Sequence, residues 1–322
     1  MSEDGASYKD RRIVLFIIGG LLLVGGIAVG FFGPAEMYCF YLFSEDGRFY
    51  YEGFGFGSFM FGNIAAQIIG YYLIAAVYVP LGYGHMTTRR WARKLALTLL
   101  WFWGIFGIPL IVVFLFTLFS SKELSIAGGL IALILAGLAY FLAPWLLMRF
   151  YRSRDVRLTF EARDPKATWI DDLPQPVLVL GALLSFFIVV LHIPIFFRGI
   201  FPFFGLLLTD LAGILMIDVS IFCLAGLTWG VLKLKPWAWW GSLVFLSLLT
   251  LSVFVTFSQY GLLDILASLR FPPTEMEILD GLPFHGFHLA LALGVPLLIT
   301  LGLLVFSKRY FGRPPSYPSD KA

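Results

Sequence analysis

The sequence predicts an all-α integral membrane protein: eight transmembrane helices, arranged as two parallel four-helix repeats, with both termini cytoplasmic. Three observations carry this expectation: where charge is missing, where positive charge collects, and one motif that occurs twice. Hydrophobic residues fill 59% of the 322 positions and charged residues only 13%, against roughly a quarter charged in an ordinary soluble domain. A soluble fold is excluded on that ground.

A helix needs about 20 apolar residues to cross the hydrocarbon core. Stretches without Lys or Arg lie near 13–32, 57–81, 95–119, 124–148, 175–197, 201–230, 237–257 and 284–307. Backbone polar groups in lipid must be satisfied within the segment, so each stretch reads as a helix. An outer-membrane barrel would show alternating segments, and a run as continuously apolar as Val177 to Val190 would make no sense facing a wet lumen. The expected location is therefore an inner, plasma or organelle membrane. Lys9, Arg11 and Arg12 precede the first span, which is long for a cleaved signal and reads as a retained anchor.

Orientation follows from the loops. With eight spans, 19 Lys and Arg fall on the side that holds both termini and the gaps after spans 2, 4 and 6, while Arg48, Lys122, Arg198 and Arg270 alone fall on the other. Positive charge stays on the cytoplasmic side, which places both termini there. This basic inner face is suited to anionic lipid headgroups, and the lipid bilayer is the first expected partner. A membrane-protein partner is the second, and nucleic acid is not expected.

The repeat rests on Gly84-His85-Met86-Thr87-Thr88-Arg89-Arg90-Trp91-Ala92 set against Gly230-Val231-Leu232-Lys233-Leu234-Lys235-Pro236-Trp237-Ala238. Both have a glycine, a basic residue five positions on, then Trp-Ala. Each copy sits in a short inner turn that leaves an even-numbered span. The chain then divides into a first repeat at 1–150, a cytoplasmic linker at 151–174, a second repeat at 175–310 and a tail at 311–322. Two even halves share one topology and relate by an axis along the membrane normal. Within the motif, glycine is expected to end a helix, while Arg89, Trp91, Lys235 and Trp237 anchor the following helix at the interface.

Outside the spans, Asp46-Gly47 between aromatic runs fits a hairpin flap or irregular structure equally well. The linker fits a short strand or an interfacial helix equally well, and Leu262 to Leu269 reads as an amphipathic segment on the outer surface. Small residues such as Gly26 and Gly30 in span 1 mark close helix packing. Cys39 and Cys223 lie at different depths and are not expected to pair.

Chemistry-bearing residues inside the membrane are few and gather in the second half. Asp210 and Asp218 share span 6, and an intramembrane carboxylate is a functional candidate by default. His192 is expected at the depth of Asp210 and in hydrogen bond with it. His285 and His288, three apart, share one helix face. Three readings follow. A non-catalytic scaffold, assembly factor or complex subunit leads, because two carboxylates and three histidines in 322 residues are few. A proton- or cation-coupled transporter would use Asp210, Asp218 and His192 as its path. A redox protein would hold a metal or haem through His192, His285 and His288. No catalytic or cofactor motif decides between them, and the cofactor is left unknown.

Overall fold

The computed structural model describes residues 8–120, 126–269, 276 and 286–312, and the rest of this section concerns those residues. The chain opens with α1 (Arg12–Phe43), α2 (Phe59–Met86) and α3 (Arg90–Ser120). Next come α4 (Ile126–Gly137), a π turn (Leu138–Leu142) and α5 (Ala143–Arg152), which together make one long rod. The linker forms α6 (Arg154–Arg163) and the short α7 (Trp169–Asp172). The second half holds α8 (Gln175–Leu191), α9 (Ile193–Phe196), strands β1 (Phe201–Phe203) and β2 (Leu206–Leu208), and α10 (Asp210–Leu232). It ends with α11 (Pro236–Gln259), α12 (Leu262–Ser268) and α13 (Gly286–Ser307). Seven helical segments are long and apolar enough to cross a membrane: Arg12–Phe43, Phe59–Met86, Ala127–Arg152, Gln175–Phe196, Asp210–Leu232, Pro236–Gln259 and Phe287–Tyr310. The protein is a polytopic helical membrane protein.

The main core belongs to the second half, where Leu180 and Leu184 of α8, Leu224 of α10, Leu246 of α11 and Leu304 of α13 are completely buried. By contrast, no residue from Ala127 to Phe150 is buried, so the α4–α5 rod gives nearly all its apolar surface to its surroundings. Large apolar side chains are exposed elsewhere too, Leu21 at 71% and Phe222 at 78% among them. That is the expected surface of a protein whose solvent is lipid.

The turns after α2 and α10 have the same geometry. In the first, Arg89 N–H donates to Gly84 C=O (2.7 Å) and Thr88 N–H to His85 C=O (3.1 Å); in the second, Lys235 N–H donates to Gly230 C=O (2.9 Å) and Leu234 N–H to Val231 C=O (2.9 Å). These pairs define a Schellman end to each helix. The role expected for glycine is corrected here. The helices run two residues past Gly84 and Gly230, and the left-handed residues are Thr88 (φ 52°) and Leu234 (φ 54°). Each glycine instead makes room for the next helix, since a Cβ would lie 2.7 Å from the Trp91 ring at Gly84 and 2.8 Å from the Trp237 ring at Gly230. A β-branched residue at positive φ is strained. Thr88→Gly is therefore expected to stabilise the protein by about 1 kcal/mol, read as a rise in unfolding temperature in detergent. Thr88→Ala, which keeps the Cβ, should give no such gain.

One further expectation is corrected, and two that the sequence left open are decided. The region after α1 forms no hairpin flap: α1 runs on to Phe43 through Pro34, because Ala35 to Phe43 contains no helix breaker once the proline is accommodated. The linker resolves as helix, with the Ser153 hydroxyl capping α6 by accepting from Val156 N–H. Span 6 does not begin near residue 201. Residues 201–208 form an antiparallel hairpin with Phe201 opposite Leu208, and α10 starts at Asp210. The hairpin tip, Phe204 (φ 45°) and Gly205 (φ 92°), has the two positive φ values of a type I′ turn. Its free N–H groups donate to α11, Phe204 to Ser252 Oγ (2.9 Å) and Gly205 to Thr256 Oγ1 (3.0 Å). Irregular backbone is tolerated beside a membrane span where protein satisfies it in this way.

Candidate functional site

The polar residues of the second half meet at the N-terminal end of α10. Pro194 opens α9, and the chain then turns through two consecutive left-handed residues, Arg198 (φ 57°) and Gly199 (φ 65°). This loop closes on α10: Asp210 N–H donates to Arg198 C=O at 2.5 Å, and Gly199 N–H to Pro194 C=O at 2.9 Å. The same turn brings the two side chains together. Arg198 Nε donates to Asp210 Oδ1 (3.1 Å) and Nη2 to Oδ2 (2.9 Å), a bidentate pair, while Nη1 donates to Ser268 C=O at the end of α12 (2.7 Å). Such fork-to-carboxylate contacts are geometrically specific. Gly57, from the segment before α2, rests on the same arginine, since its Cβ would lie 2.6 Å from Arg198 Cγ.

One side chain thus joins four segments: the loop preceding α2, the α9 turn, the first residue of α10 and the end of α12. A pocket of about 320 Å³ lies beside it, lined by Phe56, Gly57, Arg198, Asp210, Leu211 and Ile214. Its charged wall is neutral overall, and all three guanidinium nitrogens are already engaged. The amphipathic segment expected at 262–269 is α12, but its Ile265 and Leu269 enter the core. It therefore caps the bundle at the end where α10 begins. Asp264 Oδ2 accepts from Gly261 N–H at 2.8 Å and holds its start.

The predicted site residues separate. Asp210 pairs with Arg198, and the expected bond to His192 is replaced: His192 is exposed, caps α8, and its Nδ1 bonds Ile188 C=O at 2.8 Å. The expectation failed because a helical span from residue 201 would have put both residues at one depth, whereas the hairpin leaves Asp210 at the rim. Asp218 lies eight residues further along α10, part-exposed, and makes no hydrogen bond or ion pair among the described residues. His288 packs its ring against Phe287, and His285 lies outside the described residues. Among the described residues, no three His, Cys, Asp or Glu side chains come together as a metal site.

Sequence reasoning missed two residues. Arg198 was counted only as one of four outer cations, although a lone outer arginine twelve positions before an aspartate was the available signal. His85 was read as part of a turn motif, yet it is completely buried. Its Nδ1 bonds Leu81 C=O (2.7 Å) and its Nε2 bonds the Tyr151 hydroxyl (2.8 Å). Nδ1–H donation to the carbonyl leaves Nε2 to accept from the hydroxyl, the arrangement of a neutral imidazole. Phe160 of α6 meets the ring edge-on.

The linker therefore docks on the first half, against the start of α1, the end of α2 and the start of α3. The Arg11–Asp155 (3.2 Å) and Arg163–Asp10 (3.5 Å) ion pairs hold it there. So does Lys94, whose Nζ donates to the carbonyls of Ile170 and Leu173 at 3.1 and 2.9 Å and to that of Asp171. Burial lowers the pKa of the Lys94 ammonium, and Asp171 offsets part of that effect. Of the expected interface anchors, Arg89 approaches Asp164 (3.8 Å), Lys235 caps α11, and Trp237 is 52% exposed. Comparison with protein families, curated proteins and solved structures finds no match.

Proposed function

We propose that this protein is a non-catalytic scaffold, assembly factor or subunit of a larger membrane complex. In this reading the chain crosses a cell membrane eight times with both termini in the cytoplasm. The 31-residue α3 supplies the eighth crossing, and the inner positive charge sets the direction. The matching turns at Thr88 and Leu234 support two parallel four-helix repeats.

The observation that carries the functional part is how the polar groups are used. The strongest charged contact, Arg198 with Asp210, closes on itself as a clasp between segments. Several hydroxyls in the spans bond the carbonyls of their own helices, as Ser220 does to Met216 and Thr228 to Leu224, both at 2.7 Å. What remains outward is extensive apolar surface, with the carboxylate of Asp218 in it. A transporter using Asp218 is the second reading, favoured by that unpaired carboxylate.

Extraction from native membranes with styrene–maleic acid copolymer, followed by mass measurement of the intact particles, tests the proposal. A particle with a second polypeptide at fixed stoichiometry is expected. A lone chain whose substrate-linked proton movement is abolished by Asp218→Asn would replace this reading with transport.

A further inference from the structure

We infer that the outward face of α10 around Asp218 is the docking seam for a single transmembrane helix of another protein, one bearing a Lys or Arg near mid-span. The inference rests on the complex-subunit reading and names the surface and the partner's chemistry. α10 carries two seams. Ile217, Ser220, Leu224, Thr228 and Val231, at spacings of three and four, are buried against the protein's own bundle. On the opposite side Leu211, Leu215, Phe222 and Trp229 are exposed at 71%, 54%, 78% and 58%. With Asp218 they follow the same alternation of fours and threes that lets one helix lie along another.

Apolar exposure alone would be satisfied by lipid, and a small residue alone says nothing. Asp218 is the difference. It stands about 12 Å along the axis from Asp210, within a helix about 34 Å long. It is part-exposed in the apolar face and is unpaired among the described residues. A carboxylate at that depth is costly to hold in lipid, and a cation from a neighbouring helix recovers part of this. Gly226, two turns further in, would take a Cβ with nothing within 4 Å, so the seam has room for close approach. A second copy does not fit, because none of the eight apolar stretches contains a Lys or Arg. The complementary charge must come from a different chain.

The test uses full-length protein in lipid nanodiscs and two synthetic probes: a Leu-Ala transmembrane helix with one central Lys, and the same helix with Leu there. Association is read by energy transfer. Wild type is expected to bind the Lys helix about tenfold more tightly than the Leu helix, and Asp218→Asn to bind the two equally. Asp218→Lys should reverse the preference toward a helix with a central Asp, which guards against a variant that simply misfolds. Equal binding of both probes by wild type, or a Lys preference that survives in Asp218→Asn, overturns the inference. If wild type ignores the probes while native particles still hold a stoichiometric partner, the docking seam is wrong and the complex-subunit reading stands. If it ignores them and Asp218→Asn abolishes proton uptake into liposomes, Asp218 belongs to a proton path and both readings fall.

Discussion

Gly82→Leu is expected to separate α1 from α2 and to cost more than about 3 kcal/mol, the upper end for overpacking. The reason lies in what a side chain would meet. A Cβ at Gly82 falls 2.5 Å from Leu23 N and 2.7 Å from Gly19 O, and a Cβ at Gly19 falls 2.8 Å from Gly82 O. These are backbone atoms and cannot turn aside. Apart from Leu15, the buried residues of α1 are Gly19, Gly26 and Gly33, one every seven residues along one edge. Close approach at glycine is therefore most of what holds α1, since in lipid helices associate by packing and not by hydrophobic burial.

A disulfide between Gly30→Cys and Ala75→Cys reports the contact directly. A Cβ at Gly30 would lie 3.4 Å from the Ala75 Cβ, close to the separation a disulfide spans. The crosslink is expected in the parent and lost with Gly82→Leu. Gly20→Leu, on the same helix but with nothing within 4 Å, should leave it intact. Equal crosslinking in both variants would show that the glycine contact does not hold the pair.

Much of the fold is written at a length scale that sequence patterns resolve. Hydrocarbon thickness dictates runs of about 20 apolar residues, and the observed helices begin and end within a few residues of such runs at α2, α8 and α11. The matching turns are legible as turns, because a glycine, a cation and Trp-Ala recur at one spacing, but the glycine's role as bare backbone beneath a tryptophan ring is not. The segment between α9 and α10 is not legible in this way. Phe201 to Leu208 is as apolar as a helix, and only a turn with two positive φ values, together with hydroxyls fifty residues away on α11, makes it a hairpin.

The site follows the same division. Asp210 and Asp218 stand out because carboxylates are rare in apolar sequence, but the partner of Asp210 depends on where α10 starts. A shift of nine residues moved it from the span to the rim and from His192 to Arg198. His85 was hidden for the opposite reason. A histidine at a helix end ordinarily meets water, and its burial depends on a linker helix whose type the sequence left open.

The clasp at the start of α10 depends on one hydrogen atom at Gly213. A Cβ there would coincide with the Gly199 carbonyl oxygen and lie 3.0 Å from Leu208 O. Gly199 is itself fixed, because a Cβ on it would lie 2.9 Å from Asp210 O and 2.6 Å from the Ile214 side chain. Gly213→Ala must therefore push the Arg198-Gly199 loop off the first turn of α10. The bidentate contact to Asp210, the Nη1 contact to Ser268 and the seating of Gly57 are then lost together. Arg198→Ala removes the ion pair but keeps the loop, and with the two side chains 33% and 59% exposed its expected cost is about 1 kcal/mol, the range of accessible ion pairs. Gly213→Ala should cost more than about 3 kcal/mol, as overpacking against backbone does. It should also speed hydrogen exchange at the Asp210 amide, whose acceptor is Arg198 C=O. Gly226→Ala in the same helix, facing open space, is the neutral comparison. If Gly213→Ala unfolds at the same temperature as Gly226→Ala and leaves the Asp210 amide protected, the loop is not seated on α10 through that glycine, and the clasp must be held from the α12 side instead.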